Sequence, residues 1–343
     1  MSKILVTGCL GTLGRPLCKK LRENGHEVFG IDLVHSEEQK DFDDYRYHRC
    51  DIRNYRKLQE VLDAVMPEYI YHLAAEFGRH NGEQYYEDLW STNVIGTRNI
   101  LEYIKSTRRF IDLGDDENPK FEEHPIKLIF ASSSEVYGET VADKFYEDLT
   151  DNQRIYHHND YAESKFVNEN QIRRYIKQYG IEAQVLRFFN SYGPGEKFHA
   201  YRSVIALWTY KLLHKLPITV FDNYHRVFMY IDDFIETLSK ICDDFKPGTT
   251  YNIGGSEYRN VKDAADLILE EIDQKIPNSK KLLEKMVIIK EEDAHNTVNK
   301  NPDISNIVKD YGHNPSTPLE MGIRETVKWQ YDYYKKSIKE IWG

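Results

Sequence analysis

Cysteine is scarce in this chain, with four in 343 residues, at positions 9, 18, 50 and 242. With no close pair among them, they form neither a disulfide framework nor a zinc site, and they suit a reducing cytoplasm. Positive charge is short as well: 46 Lys and Arg stand against 56 Asp and Glu, a net of −10. That balance argues against nucleic-acid backbones and anionic membranes as partners, though a local basic pocket could still hold a phosphate. Apolar runs long enough to span a bilayer are missing, and Met1-Ser2-Lys3 leads straight into a strand with no signal-peptide pattern. The 13 histidines are scattered, and the adjacent His157-His158 lacks the i, i+4 spacing of a helical metal pair, so no metal is expected. What remains is a soluble globular composition, 40% hydrophobic and 30% charged, with length for one large domain or two joined ones.

The most informative stretch comes first in the chain. Lys3 to Thr7 reads as a short buried strand, followed by Gly8-Cys9-Leu10-Gly11-Thr12-Leu13-Gly14 and a helix through Leu17 and Leu21. Glu27 to Asp32 is a second strand ending in an acid. Glycines in such a loop allow a tight turn, let the backbone approach a pyrophosphate, and let the helix pack closely on the strand. The helix N-terminus then offers unpaired N–H groups to the anion. Gly8, Gly11, Thr12, Leu13 and Gly14 are therefore expected to hold a dinucleotide. A carboxylate at Asp32 would accept hydrogen bonds from the adenosine ribose hydroxyls and repel a 2′-phosphate, which favours NAD over NADP. Arg15 is the one nearby residue that argues the other way.

Further along, Arg46 to Ile52 closes a third strand, with Asp51 positioned to meet the adenine. A helix is expected from Asn54 to Val65 and a fourth strand from Tyr69 to Ala75. Long helical patterns cover Glu83 to Lys105 and Asp160 to Tyr179, flanking a strand from Lys127 to Ser132, and Ala183 to Phe189 adds another strand. Strands alternating with helices signal a parallel sheet. The polar, acidic stretch at 107–124 reads as a surface insertion. After Gly195 the alternation breaks down. The expected architecture is α/β: a Rossmann-type doubly wound parallel sheet from 1–190 and 230–256, with an interleaved smaller mixed α/β substrate domain from 191–229 and 257–343. Tyr161 and Lys165 lie one helical turn apart, and a neighbouring ammonium would favour the phenolate. The same spacing recurs at Tyr258/Lys262 and Tyr331/Lys335, so the pair alone is a weak signal.

Taken in order, Thr7-Gly-x-x-Gly-x-x-Gly14, Asp51-Ile52, His72-Leu-Ala-Ala75, Asn93-Val-x-Gly-Thr97, Ser132-Ser-Ser-Glu-Val-Tyr-Gly138 and Tyr161-x-x-x-Lys165 form a specific series. Arg187-Phe-Phe-Asn-Ser-Tyr-Gly-Pro-Gly195, Arg226 to Asp233 and Tyr251-Asn-Ile-Gly254 continue it. The chain resembles, over nearly its whole length, the extended short-chain dehydrogenases/reductases that modify nucleotide sugars. The resemblance implies NAD as cofactor, Tyr161 as catalytic base, Lys165 on the nicotinamide ribose and Ser133 on the reacting sugar oxygen. It implies further cofactor contacts from Ile52, Leu73, Ala74, Ala75, Asn93, Ser132 and Phe188. Substrate contacts are implied at Ser134, Asn190, Arg202 and Arg226, and a homodimer or tetramer built through the two long helices.

Two features bear on the product. Glu135 stands where 4,6-dehydratases and decarboxylases of this family have an acid, and simple epimerases a small hydroxyl residue. The position before it, often an aspartate in the dTDP-glucose type, is Ser134. The segment Glu76-Phe-Gly-Arg79-His80-Asn-Gly82 is unlike that of common epimerases; Arg79 and His80 are expected to read sugar hydroxyls or phosphate. It resembles the GDP-manno-heptose C4 dehydrogenases of bacterial capsule pathways. The favoured expectation is therefore oxidation at C4 of a GDP-linked heptose, with 4,6-dehydration or 4-epimerisation as alternatives and a non-catalytic NAD-sensing module as a remote one.

Overall fold

The computed structural model describes residues 1–34, 46–107, 110–112, 120–121, 126–140, 142–292 and 297–343, with only the backbone of Arg79, His80, 110–112 and 120–121. Seven strands form one sheet: β1 (Lys3–Thr7), β2 (Glu27–Asp32), β3 (Tyr47–Arg49), β4 (Tyr69–His72), β5 (Lys127–Ser133), β6 (Glu182–Phe188) and β7 (Thr250–Ile253). Their order is β7-β6-β5-β4-β1-β2-β3. Registers such as Ile4↔Val28, Ile4↔Tyr69 and His72↔Phe130 are parallel. The bonds Val185 N to Thr249 O and Phe189 N to Ile253 O advance together at the other edge, so β7 joins in parallel too. Chain order reverses at β1, between β2 and β4, which is the switch point where open α/β sheets bind ligands. The expected doubly wound fold is the observed one.

Helices α1 (Gly14–Glu23) and α2 (Tyr55–Val65) bury Leu17, Cys18 and Leu21, and Leu58, Val61, Leu62 and Val65, the spacing of one apolar helical stripe. The Asn54 side chain accepts from Lys57 N and caps α2, so the residue expected to begin that helix stands just outside it. The long helix expected over Glu83 to Lys105 is instead broken. It comprises α3 (Arg79–Gln84), α4 (Tyr86–Trp90), a π-helical turn (Ser91–Gly96) and α5 (Thr97–Thr107). The wider turn removes ordinary partners from backbone carbonyls, and two side chains from α6 (Asp160–Tyr179) replace them. Asn168 Nδ2 donates to Asn93 O at 2.9 Å, and Gln171 Nε2 to Val94 O at 3.3 Å. Within the stretch expected as an insertion, Phe110–Asp112 pairs antiparallel with Lys120–Phe121. Most of the rest lies outside the described residues.

By density of internal contact the chain divides into two units. The first is Met1–Val136, Asn159–Arg187 and Leu238–Tyr251; the second is Tyr137–His158, Phe188–Thr237 and Asn252–Gly343. In the second, His225–Val227 pairs antiparallel with Tyr258–Asn260 and parallel with Asn299–Lys300. Asn252 sits at the centre of this unit with no exposed surface: it accepts from Tyr137 Oη at 2.6 Å and donates to the carbonyls of Phe145 and Asp303. Among the described residues, no helix is long and apolar enough to cross a membrane.

Two polar anchors hold the first unit. Glu169 and Arg187, each 1% exposed, form a two-pronged ion pair at 3.0 and 2.7 Å; Ser132 Oγ and Arg173 also donate to the Glu169 carboxylate. Removing one partner of such a pair strands a buried charge. His72, equally buried, lies between Thr7 Oγ1 at 2.8 Å and Thr97 Oγ1 at 3.0 Å, joining β1, β4 and α5. Burial, aided by the nearby Lys165 charge, pushes the His72 imidazole down to about 3.

Both anchors are open to denaturation experiments. Arg187→Met is expected to cost about 3–5 kcal/mol in urea unfolding, and the Arg187→Met/Glu169→Leu double variant to recover part of that loss. A single variant as stable as the wild type would contradict the anchor. For His72, the unfolded chain takes up a proton below about pH 6.5 and the folded chain only near 3, so stability falls as pH drops through that window. The thermal midpoint of the wild type should therefore fall more steeply between pH 6.5 and 4 than that of His72→Gln; equal slopes would remove His72 as the cause.

Candidate active site

The loop after β1 is built for close approach. Gly8 has φ +69°, and its N–H donates to Ile31 O at 2.8 Å. A Cβ on Gly14 would stand 2.1 Å from Gly8 O, and one on Gly8 2.9 Å from Ala74 N. Only glycine allows α1 to start this close to the loop. Gly11 N donates to Gly8 O at 3.1 Å, while Thr12 and Leu13 complete the turn into α1. The Asp32 carboxylate accepts from Leu10 N at 2.9 Å and from its neighbour Leu33 N at 2.7 Å, which ties the end of β2 to the loop. Each carboxylate oxygen keeps a second lone pair, so this tether is compatible with further hydroxyl donors. Loop and acid together fit a dinucleotide with free ribose hydroxyls.

Beside them, Asp51 is held by Arg53, whose Nη2 donates at 2.8 Å and whose Nη1 reaches Asp88. Burial pushes the Asp51 carboxyl up, but the hydrogen bonds and charge of Arg53 outweigh it and leave it below the usual range. Ile52 packs where a Cβ on Gly96 would come within 2.5 Å of its Cδ1. Leu73, Ala74 and Ala75 are half-buried; Leu73 N and Ala74 N donate to the Thr7 carbonyl and hydroxyl. Ser132, expected as a cofactor contact, commits its hydroxyl to Glu169 at 2.6 Å. Asn93 likewise turns inward: its amide grips the main chain of Glu76 at both N and O, 2.9 Å each, and donates to Ser164 Oγ at 3.0 Å. Sequence reading missed this clamp because Asn93 and Ser164 are 71 positions apart and carry no joint pattern.

At the start of α6, capped by the Asn159 side chain on Ala162 N, Tyr161 hydrogen-bonds the Ser133 hydroxyl. Glu135 N donates to the same Ser133 Oγ at 3.2 Å. Lys165, one turn on and 4% exposed, donates to Ala131 O at 2.8 Å, with Nζ 5.9 Å from the Tyr161 ring centre. The expected depression of the tyrosine by this ammonium does not arise in this arrangement. Burial pushes Tyr161 up to about 12; the Ser133 hydrogen bond lowers it and the Glu135 charge raises it. Burial also brings Lys165 down to about 7 against the opposing pull of Glu169. The structure thus brings Ser133, Tyr161, Lys165 and Glu135 together at the carboxyl ends of the strands.

The remaining expected residues vary. Ser134 is buried at the head of the 3₁₀ turn Ser134–Tyr137. The side chains of Arg79 and His80 lie outside the described residues. In the second unit, Phe188 stands edge-on to Phe234, and Asn190, at φ +39°, donates from Nδ2 to Val227 O at 2.9 Å. Arg202 is half-buried in the loop before Val204–Leu213. Arg226, expected to hold a diphosphate, is 5% exposed and donates to the carbonyls of His225, Thr297 and Val298. Three of its five N–H donors go to these main-chain carbonyls, which cross-links the chain there. Among the described residues, His26, Cys242 and Asp243 form a trio of possible metal ligands. Ser2 N–H donates to His26 Nδ1 at 3.3 Å, and His26 Nε2 lies 3.3 Å from the Asp243 carboxylate and 3.8 Å from Cys242 Sγ, so both ring nitrogens already have protein partners.

Comparison with known proteins agrees with this geometry. Residues 4–254 match the model of the NAD dependent epimerase/dehydratase family. The dTDP-glucose 4,6-dehydratase of Salmonella typhimurium is 25% identical over 343 residues, covering 95% of this chain and 92% of that protein. Protein CapI of Staphylococcus aureus is 27% identical over 366 residues, covering 97% and 100%. Among solved structures, the UDP-glucose 4-epimerase of Thermotoga maritima with UDP-glucose shares the fold with a TM-score of 0.79 at 23% identity, covering 96% and 99%.

Proposed function

Since the chain belongs to the NAD dependent epimerase/dehydratase family and is an NAD-dependent enzyme, we propose that it oxidises C4 of a nucleotide-linked sugar and carries the ketone on to 4,6-dehydration. The observation behind this reading is the Ser133–Tyr161 hydrogen bond with Glu135 and Lys165 beside it. NAD, when bound, supplies the hydride acceptor and a positive pyridinium charge that favours a phenolate. Tyr161 takes the proton of the C4 hydroxyl, and Ser133 hydrogen-bonds the same oxygen. Lys165, anchored on Ala131 O, is the proposed contact to the cofactor's ribose. A C4 ketone acidifies the C5 proton; Glu135 removes it and returns it to the departing C6 hydroxyl, which leaves as water. Asn190 and Arg226 are the proposed contacts to the nucleotide's diphosphate and Arg202 a further substrate contact, with a homodimer or tetramer the proposed assembly.

The dehydratase reading displaces the expected GDP-manno-heptose 4-dehydrogenase because the relatives above include a 4,6-dehydratase by name and no heptose enzyme. Oxidation that stops at the 4-keto heptose keeps one specific support, the segment Glu76 to Gly82, whose resemblance to the heptose dehydrogenases carries that expectation. Such an enzyme would need outside reoxidation of its cofactor, whereas dehydration returns the hydride.

Tyr161→Phe should lower turnover by about 10²–10⁴-fold or more while NAD affinity stays at the wild-type value; retained turnover would reject Tyr161 as the base. Incubation with dTDP-glucose, UDP-glucose, GDP-mannose and GDP-manno-heptose, read by mass spectrometry, separates the products. Loss of water supports dehydration, loss of two hydrogens the 4-keto product, and unchanged mass with altered stereochemistry a 4-epimerase. With a dehydrating substrate, Glu135→Gln should abolish water loss while leaving oxidation at C4 detectable as reduced cofactor; unimpaired water loss would exclude Glu135.

A further inference from the structure

Glu76 is held at three points, and among the described residues a fourth, Oε1, has no donor. Its N–H donates to Asn93 Oδ1 and its carbonyl accepts from Asn93 Nδ2, both at 2.9 Å. Its carboxylate Oε2 accepts from Asn81 Nδ2 at 2.9 Å, and the same amide reaches Phe77 O at 3.3 Å. Asn81 and Asn93 are 8% and 1% exposed, so buried amides set the orientation of a half-exposed carboxylate. Among the described residues none donates to Oε1. A glutamate serving only to close a loop would have no need of so rigid a mount.

Its location gives the mount a purpose. The β4–β5 ladder runs to His72↔Phe130, so the segment starts beyond the carboxyl end of β4, at the end of the sheet where β5 finishes in Ser133. At the far end of the segment, a Cβ on Gly82 would lie 3.1 Å from Asp160 Cβ and 3.5 Å from Tyr161 N. The segment therefore leaves from the same end of the sheet as Ser133 and returns against the first turn of α6, which bears Tyr161. The Asn93 amide that clamps Glu76 also donates to Ser164 Oγ, and Ser164 Oγ donates to Tyr161 O at 2.8 Å. One network thus positions both Glu76 and the catalytic turn.

We propose that Glu76 is a substrate-recognition residue whose open carboxylate oxygen accepts a hydrogen bond from a hydroxyl of the sugar, with Asn81 and Asn93 as its positioning residues. The proposal rests on the reading of Ser133 and Tyr161 as the place where the sugar reacts. A fixed carboxylate suits a neutral polyol and repels an acidic sugar, so the substrate class it selects is a neutral hexose or heptose rather than a uronic acid.

The NAD-loaded protein tests this by calorimetric titration with UDP-glucose, UDP-glucuronic acid and UDP, and with GDP-mannose and GDP. Wild-type protein should bind at least one neutral nucleotide sugar more tightly than its nucleoside diphosphate, and UDP-glucose more tightly than UDP-glucuronic acid. Glu76→Ala should shrink the first preference by about tenfold or more, the worth of a hydrogen bond to a charged group, with affinity for NAD and the nucleoside diphosphate unchanged. Glu76→Gln should shrink the discrimination against UDP-glucuronic acid, and Asn81→Ala should reproduce a smaller loss in the sugar preference alone. An unchanged preference in Glu76→Ala, an equal loss for sugar and nucleoside diphosphate, or no wild-type preference for any neutral sugar overturns the proposal. Absence of product by mass spectrometry, with the Glu76-dependent preference intact, would count against the proposed reaction and leave the recognition role standing.

Discussion

The buried carboxylate of Glu169 is the constraint on which the first unit depends. It draws Arg187 from β6, Ser132 from β5 and Arg173 from its own helix onto one point with 1% exposure. A carboxylate so deep must be matched by cations and donors, and the matching locks α6 against two sheet strands. Tyr161 and Lys165 ride on that helix, so the geometry of the hydroxyl, phenol and ammonium follows from an ion pair that itself touches no part of the chemistry. The same charge partly offsets the burial that lowers Lys165.

A second constraint works from the opposite side. The π-helical turn at Ser91–Gly96 aims Asn93 away from the helix ladder and toward the main chain of Glu76. Widening a helix costs regular hydrogen bonds, and Asn168 and Gln171 of α6 restore two of them. The turn also brings Gly96 so close to Ile52 that any larger residue would collide. The loop at Ile52, the segment at Glu76 and helix α6 are in this way referred to one local irregularity.

Several expectations changed on contact with the folded chain, each for a physical reason. Arg226 read as a phosphate ligand because guanidinium suits a diphosphate, and in the fold it also donates to three main-chain carbonyls. Ser132 and Asn93, assigned to the cofactor by motif position, turn their polar groups into the protein. Tyr161 was expected to be acidified by Lys165; desolvation and Glu135 act the other way, and the lysine's Nζ, which donates to Ala131 O, lies 5.9 Å from the ring centre. The unbroken helix over Glu83 to Lys105 failed because its apolar periodicity persists across breaks at Tyr85 and the π turn.

By itself the sequence determined the parallel sheet and the glycine loop with its terminal acid at Asp32, and it singled out Ser133, Tyr161 and Lys165, which the fold brings together. Those features are written in short-range patterns, where strand period, helix period and glycine spacing act within a few residues of one another. Only the tertiary structure decided which polar groups remain available. Glu169 with Arg187, Asn93 with Ser164 and Arg226 with Val298 are paired across 18, 71 and 72 positions. Burial and long-range hydrogen bonding set the direction in which each of these groups points, and neither has a period that a linear chain displays.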